Sequence, residues 1–258
     1  EDINSKAVVF IDAVKNRIVA GKNMYEKMYP ASTTKIMTLL VAVENIKDYS
    51  DTFKMTNTIT DPLYRAEATV AGFSAGEVIN MKDLIYGTIL PSGGDAALGL
   101  AVKISGSEQE FVKLMNEKAK ELKLTSTHFT NCTGLFDADH YTTAYDMSAI
   151  LREAMQNPLC KEVLSTYKYT TSRTEKHPDG IELESTMFKY MYGTEPENAT
   201  ILGGKTGYVA ESGFCLASFG EGKNGKEYVC VTLSAPTRWP GIFDQINIYK
   251  KYTKENEK

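Results

Sequence analysis

From Thr33 to Ile46 the chain is apolar on nearly every face of a helix. A helix at a protein surface carries an apolar stripe, whereas one that is apolar all round belongs inside. The run falls short of the roughly 20 residues that cross a bilayer, so it calls for a globular core large enough to surround it. A chain of 258 residues with 42% hydrophobic content provides that core within one domain or two interleaved subdomains. The same helix opens on chemistry. Ser32 and Lys35 stand three residues apart at its start, which places a hydroxyl and an amine one turn apart.

The flanking segments say what packs around this helix. Ala7 to Asp12 and Arg17 to Ala20 read as an apolar hairpin across Val14-Lys15-Asn16. Helices are signalled by Asn80 ahead of Met81 to Leu90, by Ser107 with Glu110 as a capping box, and by Thr143 with Asp146 ahead of Met147 to Met155. Beyond Gly203-Gly204 the pattern turns to strands, Gly207 to Phe219 and Glu227 to Leu233, followed by an amphipathic helix from about Ile242 to Tyr252. Strands at both ends of a helical middle predict one sheet with two covered faces. The net charge of -4, from 29 basic and 33 acidic residues spread along the chain, leaves no basic stripe for nucleic acid. No apolar stretch is long enough for a membrane span. No signal peptide is visible, yet Glu1 lies just ahead of the first strand, as in a trimmed product. Cys132, Cys160, Cys215 and Cys230 lack any Cys-x-x-Cys spacing and read as buried free thiols. Cys215 and Cys230 flank the Asn224-Gly225 turn, where a cross-strand bridge needs closely matched geometry.

A Ser-x-x-Lys pair recurs by chance, and Ser165-Thr166-Tyr167-Lys168 is a second copy. The first copy is followed by Ser92-Gly93-Gly94 and then Lys205-Thr206-Gly207, the order found in penicillin-recognising serine enzymes. The chemistry fits that order. A serine hydroxyl needs a base to act as a nucleophile, and Lys35 serves only when neutral, a state favoured by burial and by a second cation such as Lys205. Rival patterns are present. Gly72-Phe73-Ser74-Ala75-Gly76 matches a nucleophile elbow, but the weakly apolar Arg65 to Ala71 predicts a loop instead of the required strand. Gly204-Lys205-Thr206 ends like a phosphate loop, yet Ala199 stands where that loop needs glycine. His128, His140 and His177 have no zinc-ligand spacing, and His128 and His140 read as local hydrogen-bonding groups in the helical lobe. Glu153-Ala154-Met155-Gln156-Asn157 resembles the water-activating glutamate segment of class A β-lactamases, but reads as helix surface.

Taken together, the chain resembles the serine-type D-Ala-D-Ala carboxypeptidases, the low-molecular-mass penicillin-binding proteins, along almost its whole length. Leu90-Pro91-Ser92-Gly93-Gly94-Asp95-Ala96-Ala97 is similar to the second-motif segment. His128-Phe129-Thr130-Asn131, Gly134-Leu135 and His140-Tyr141-Thr142-Thr143-Ala144-Tyr145-Asp146-Met147 are similar to the helical region between motifs. The resemblance implies a β-lactamase-like fold of mixed α/β class (α+β layered), with an antiparallel sheet flanked by helices and a helical lobe inserted. It divides the single domain 1–258 into a sheet part, 1–31 and 200–258, and a lobe over about 33–190; the β-rich second domain that many relatives carry is not expected here, a departure from their pattern. It implies Ser32, Lys35 and Ser92 as catalytic residues and Lys205, Thr206, Gly207 and Tyr208 as substrate-binding residues, the N–H groups of Ser32 and Tyr208 forming the oxyanion hole. No cofactor or metal is implied. The implied partners are a peptidoglycan stem peptide ending in D-Ala-D-Ala and β-lactams, met outside the cytoplasm. A β-lactamase, or a catalytically weak module that binds cell wall or β-lactam, is the alternative. One departure stands out: Gly94 replaces the asparagine usual in the second motif, and Asn131, a neighbouring polar side chain or a water is the candidate to take over its role. Arg238, after Pro236, reads as a solvated loop charge.

Overall fold

The first strand, β1 (Ala7–Asp12), is buried from end to end. Alternate residues of a strand face opposite ways, so burial throughout means two cores. In the computed structural model, which describes residues 2–254, Val9 and Ile11 pack with Ile36, Leu39 and Leu40 on one side. On the other side Val8 and Phe10 pack with Tyr228, Ile242 and Tyr249. The Phe10 ring stacks on Tyr228 at 4.9 Å and meets Tyr249 edge-on at 5.2 Å. Burying a phenylalanine contributes about 2–3 kcal/mol, so this ring is a principal tie between sheet and outer helix.

After β2 (Arg17–Lys22) the chain leaves the sheet through a 3₁₀ turn, Ala31–Thr34, into α1 (Lys35–Asn45). Every residue of α1 from Lys35 to Val43 is buried, as its all-round apolar pattern requires. Around it lie α2 (Asn57–Arg65), α3 (Met81–Ile89), α4 (Gly94–Ser105), α5 (Glu108–Glu121), α6 (Ala144–Gln156) and α7 (Pro158–Leu164). The expected caps form: Asn80 Oδ1, Ser107 Oγ and Thr143 Oγ1 accept the N–H groups of Asp83, Glu110 and Asp146. The Ser107 box is only half made, because the Glu110 carboxylate turns to Lys113 at 2.7 Å. Two short ladders interrupt the helices, β3 (Thr52–Lys54) with β4 (Val78–Asn80), and β5 (Lys168–Thr170) with β6 (Glu182–Glu184). Three-residue strands carry too little alternation to show in sequence.

A short α8 (Phe188–Met191) leads back to the sheet, which continues with β7 (Ala199–Val209), β8 (Gly213–Gly222) and β9 (Glu227–Ala235). Its order is β2-β1-β9-β8-β7, antiparallel throughout, with β7 at the edge. The final helix α9 (Arg238–Tyr252) covers the face opposite the lobe. The expected antiparallel sheet flanked by helices is therefore present. The strand expected over Gly207 to Phe219 is corrected: the chain reverses between Val209 and Gly213, where Gly213 takes φ +66. Both arms are apolar, and the tight turn between them hid the break.

The four thiols are free and buried. Cys215 faces the lobe core and Cys230 the α9 core, so the sheet itself separates the pair and no cross-strand bridge forms. Burial raises the pKa of all four, to about 12 for Cys160 and about 11 for Cys215. No described helix is long and apolar enough to cross a membrane.

Candidate active site

Ser32 sits in the 3₁₀ turn that precedes α1, and Lys35 is the first residue of that helix. The turn is held by Thr33, whose Oγ1 donates to the Pro30 carbonyl at 2.6 Å. It is also strained: Ala31 adopts φ +50, a region that non-glycine residues occupy at a cost and most often near functional sites. Lys35 Nζ lies 2.9 Å from Ser32 Oγ and 3.2 Å from Ser92 Oγ, and donates to the Thr133 carbonyl at 2.7 Å. Burial lowers the Lys35 pKa to about 8, against the opposing influence of Cys132 and Asp95. A neutral amine is thereby within reach at ordinary pH.

Ser92 joins α3 to α4 and carries a second strained backbone, φ +60. Behind it the Asp95 carboxylate accepts the N–H groups of Ala71, Gly72 and Phe73 at 2.7 to 3.1 Å, which fixes that loop over the motif. At Gly94 a Cβ would stand 3.3 Å from both Leu63 Cδ2 and the Thr69 carbonyl, so a side chain here starts in tight packing. The idea that Asn131 substitutes for the missing amide is corrected. Its Oδ1 accepts from the N–H groups of Thr133 and Gly134 at 3.2 and 2.8 Å. Asn131 thus holds the loop whose Thr133 carbonyl meets Lys35; it has no contact with the amine itself.

The opposite wall is the edge strand β7. Lys205 is 1% exposed, its Nζ donating to the Thr206 carbonyl at 2.8 Å. Burial and the neighbouring Lys35 push its pKa well down. Thr206 Oγ1 shares a hydrogen bond with Thr186 Oγ1 at 2.7 Å. Gly207 has no room for a side chain, since a Cβ would fall 2.6 Å from the Ser32 nitrogen and 2.9 Å from that of Thr33. Gly134 closes the other side, where φ is +90 and a Cβ would overlap the Ala31 carbonyl. Tyr208 is exposed beyond Gly207.

Together these elements border a cleft of about 640 Å³ that contains Ser32, Ser92, Thr206, Gly207 and Tyr208. Lys205 lies behind the wall. Arg238 is corrected from a loop charge to the first residue of α9: it lines the cleft, with its guanidinium 3.7 Å from the centre of the Tyr190 ring. Glu184, Thr186 and Lys189 also line it. Sequence reasoning missed these, as it missed the Thr133 carbonyl, because tertiary folding alone brings them to the nucleophile.

The rivals fall apart on placement. Ser74 lies in a loop with no strand ahead of it, its N–H given to Glu77. Gly204-Lys205-Thr206 is strand, not a phosphate loop. Glu153 is 3.9 Å from Lys118, which also binds Glu44 near the far end of α1. Ser165 bonds the Lys161 carbonyl and Lys168 the Glu182 carboxylate. His177 contacts Glu77, and His128 meets the Asp139 carbonyl.

His140 supports the nucleophile's turn. Its Nδ1 accepts from the Thr130 N–H at 2.9 Å, so the proton is on Nε2, 2.8 Å from Thr34 Oγ1. Burial lowers its pKa from 6.5 to about 4. Between those values the unfolded chain binds a proton that the folded chain refuses, so stability falls as pH drops through this window. Urea denaturation should show a His140 contribution of about 2 kcal/mol lost between pH 7 and pH 5, and His140→Gln should remove that part of the slope.

The profile of the family described as D-alanyl-D-alanine carboxypeptidase matches residues 1–237. The chain is 33% identical to the D-alanyl-D-alanine carboxypeptidase DacF of Bacillus subtilis, over 90% of this chain and 58% of that protein. It is 31% identical to DacC of Escherichia coli, over 84% of this chain and 53% of the relative, so it spans little more than half the length of these two. In structure it superposes on a mutant of the Streptomyces K15 DD-transpeptidase with a TM-score of 0.88 at 24% identity, covering 97% of this chain and 99% of the other. Penicillin binding protein 5 of Haemophilus influenzae gives 0.87 at 24% identity, covering 97% of this chain and 71% of that one. With 237 of its residues matched by one profile, the chain belongs to the D-alanyl-D-alanine carboxypeptidase family.

Proposed function

We propose that this chain is the catalytic domain of a serine D-Ala-D-Ala carboxypeptidase, acting outside the cytoplasm on peptidoglycan stem peptides and acylated by β-lactams. The observation that carries this reading is Lys35 Nζ at 2.9 Å from Ser32 Oγ and 3.2 Å from Ser92 Oγ, at the foot of an open cleft. Neutral Lys35 takes the Ser32 proton as Oγ bonds to the carbonyl carbon of the penultimate D-Ala. The N–H groups of Ser32 and Tyr208, at the start of a helix and on the adjoining strand, receive the oxyanion. The peptide C–N bond then breaks, the proton passing from Lys35 through Ser92 Oγ to the departing D-Ala nitrogen. Water hydrolyses the ester and frees Ser32. Thr206 and Arg238, which line the cleft, hold the terminal carboxylate, with Lys205 behind the wall supporting Thr206 through its carbonyl; this restricts cleavage to the end of a chain.

The test is release of D-Ala from diacetyl-L-Lys-D-Ala-D-Ala. Release is expected; its absence alongside clean covalent tagging by penicillin would make the chain a binding module instead. The base sets a pH dependence. With a pKa of about 8, about a tenth of Lys35 is neutral at pH 7 and nine-tenths at pH 9. Acylation by penicillin should therefore rise about tenfold between pH 7 and pH 9 and then level off, as measured by stopped-flow fluorescence of a labelled β-lactam.

A further inference from the structure

Glu184 is a half-buried carboxylate in a cleft whose exposed charges, Lys189 and Arg238, are cations. It ends β6, two residues before Thr186, the partner of Thr206. Lys168 faces Glu184 across the β5–β6 ladder, yet its ammonium lies 3.4 Å from Glu182 instead. Among the described residues no lysine, arginine or histidine forms an ion pair with Glu184; its neighbour is the Tyr167 hydroxyl, which donates to it at 3.3 Å.

A peptide entering this cleft strips water from that carboxylate, and an unpaired charge losing its water is costly. A ligand that brings a cation offsets the cost. In a bound peptide ending in D-Ala-D-Ala, the terminal carboxylate is matched by Thr206 and Arg238, and the scissile nitrogen is a neutral amide. The remaining cation is the amino group on the side chain of a diamino residue ahead of the D-Ala pair. Resting on the carboxypeptidase reading, we propose that Glu184 is a specificity-determining residue that takes this side-chain amine, so that the cleft selects stems whose amine is free over those in which it is acylated by a cross-link.

The experiment compares Nα-acetyl-L-Lys-D-Ala-D-Ala with its Nα,Nε-diacetyl counterpart. The free-amine peptide should have a five- to tenfold higher kcat/KM, expressed mainly in KM and shrinking with added salt, as a partly exposed charge pair requires. Glu184→Gln should bring the ratio to about one, and Glu184→Lys should invert it. An equal loss on both peptides in Glu184→Gln would overturn the proposal, since it would place the carboxylate's action on the departing D-Ala amine common to both. A preference that persists in Glu184→Gln would also overturn it. If neither peptide is hydrolysed, the carboxypeptidase reading itself fails; the same ratio is then read from how well each peptide protects Ser32 against labelled penicillin.

Discussion

Ser32→Ala takes up no labelled penicillin and releases D-Ala at least about 10⁴-fold more slowly than the unaltered chain, the scale of loss when a serine nucleophile is removed. The fold should be indifferent to the change. The hydroxyl is only partly buried and its recorded partner is Lys35, which keeps Ser92 Oγ and the Thr133 carbonyl after the substitution. Denaturation midpoints should therefore agree within about 0.5 kcal/mol, and loss of tagging then reports chemistry. Ser74→Ala serves as the control, because Ser74 lies in a loop outside the cleft lining. Tagging that survives Ser32→Ala would move the nucleophile elsewhere.

Gly207→Ala, a change of one methyl group, should be nearly as damaging to acylation. The added carbon falls 2.6 Å from one backbone nitrogen and 2.9 Å from the next, and backbone atoms cannot rotate aside as a flexible side chain does. Either β7 or the 3₁₀ turn has to retreat. A displacement approaching 1 Å between nucleophile and oxyanion donors costs about 10²-fold in rate, and overpacking here costs about 1–3 kcal/mol in stability. The second-order rate of penicillin acylation and a urea titration measure the two effects. An acylation rate close to that of the unaltered chain would mean that strand and turn are not pressed together as described.

What the sequence disclosed follows the range of the interaction. Ser32 and Lys35 meet because three residues make nearly a helical turn, a relation written in the spacing itself. The burial of α1 is legible because apolar residues cover nearly every face of it, and β1 shows in the sequence as an apolar arm of a hairpin. The sheet's antiparallel order with flanking helices came through resemblance, and the structure agrees. Arg238, Glu184 and the Thr133 carbonyl carry no such local mark. One is fixed by where β9 ends, one by a three-residue ladder, and one is a backbone atom positioned by Asn131. Residues assembled by contacts across 50 or more positions are invisible to periodicity, whereas any pair a turn apart declares itself.

The placement of Cys215 and Cys230 on opposite faces of the sheet bears on how the molecule ages. Once folded, the four thiols are walled off and reluctant to form thiolates, so oxidants in the surroundings find nothing to attack. While the strands are still apart, Cys215 and Cys230 are bare. The hazard of wrong covalent pairing is thus confined to the molecule's infancy, and the speed with which β8 and β9 join the sheet decides whether the sulfurs of Cys215 and Cys230 emerge intact.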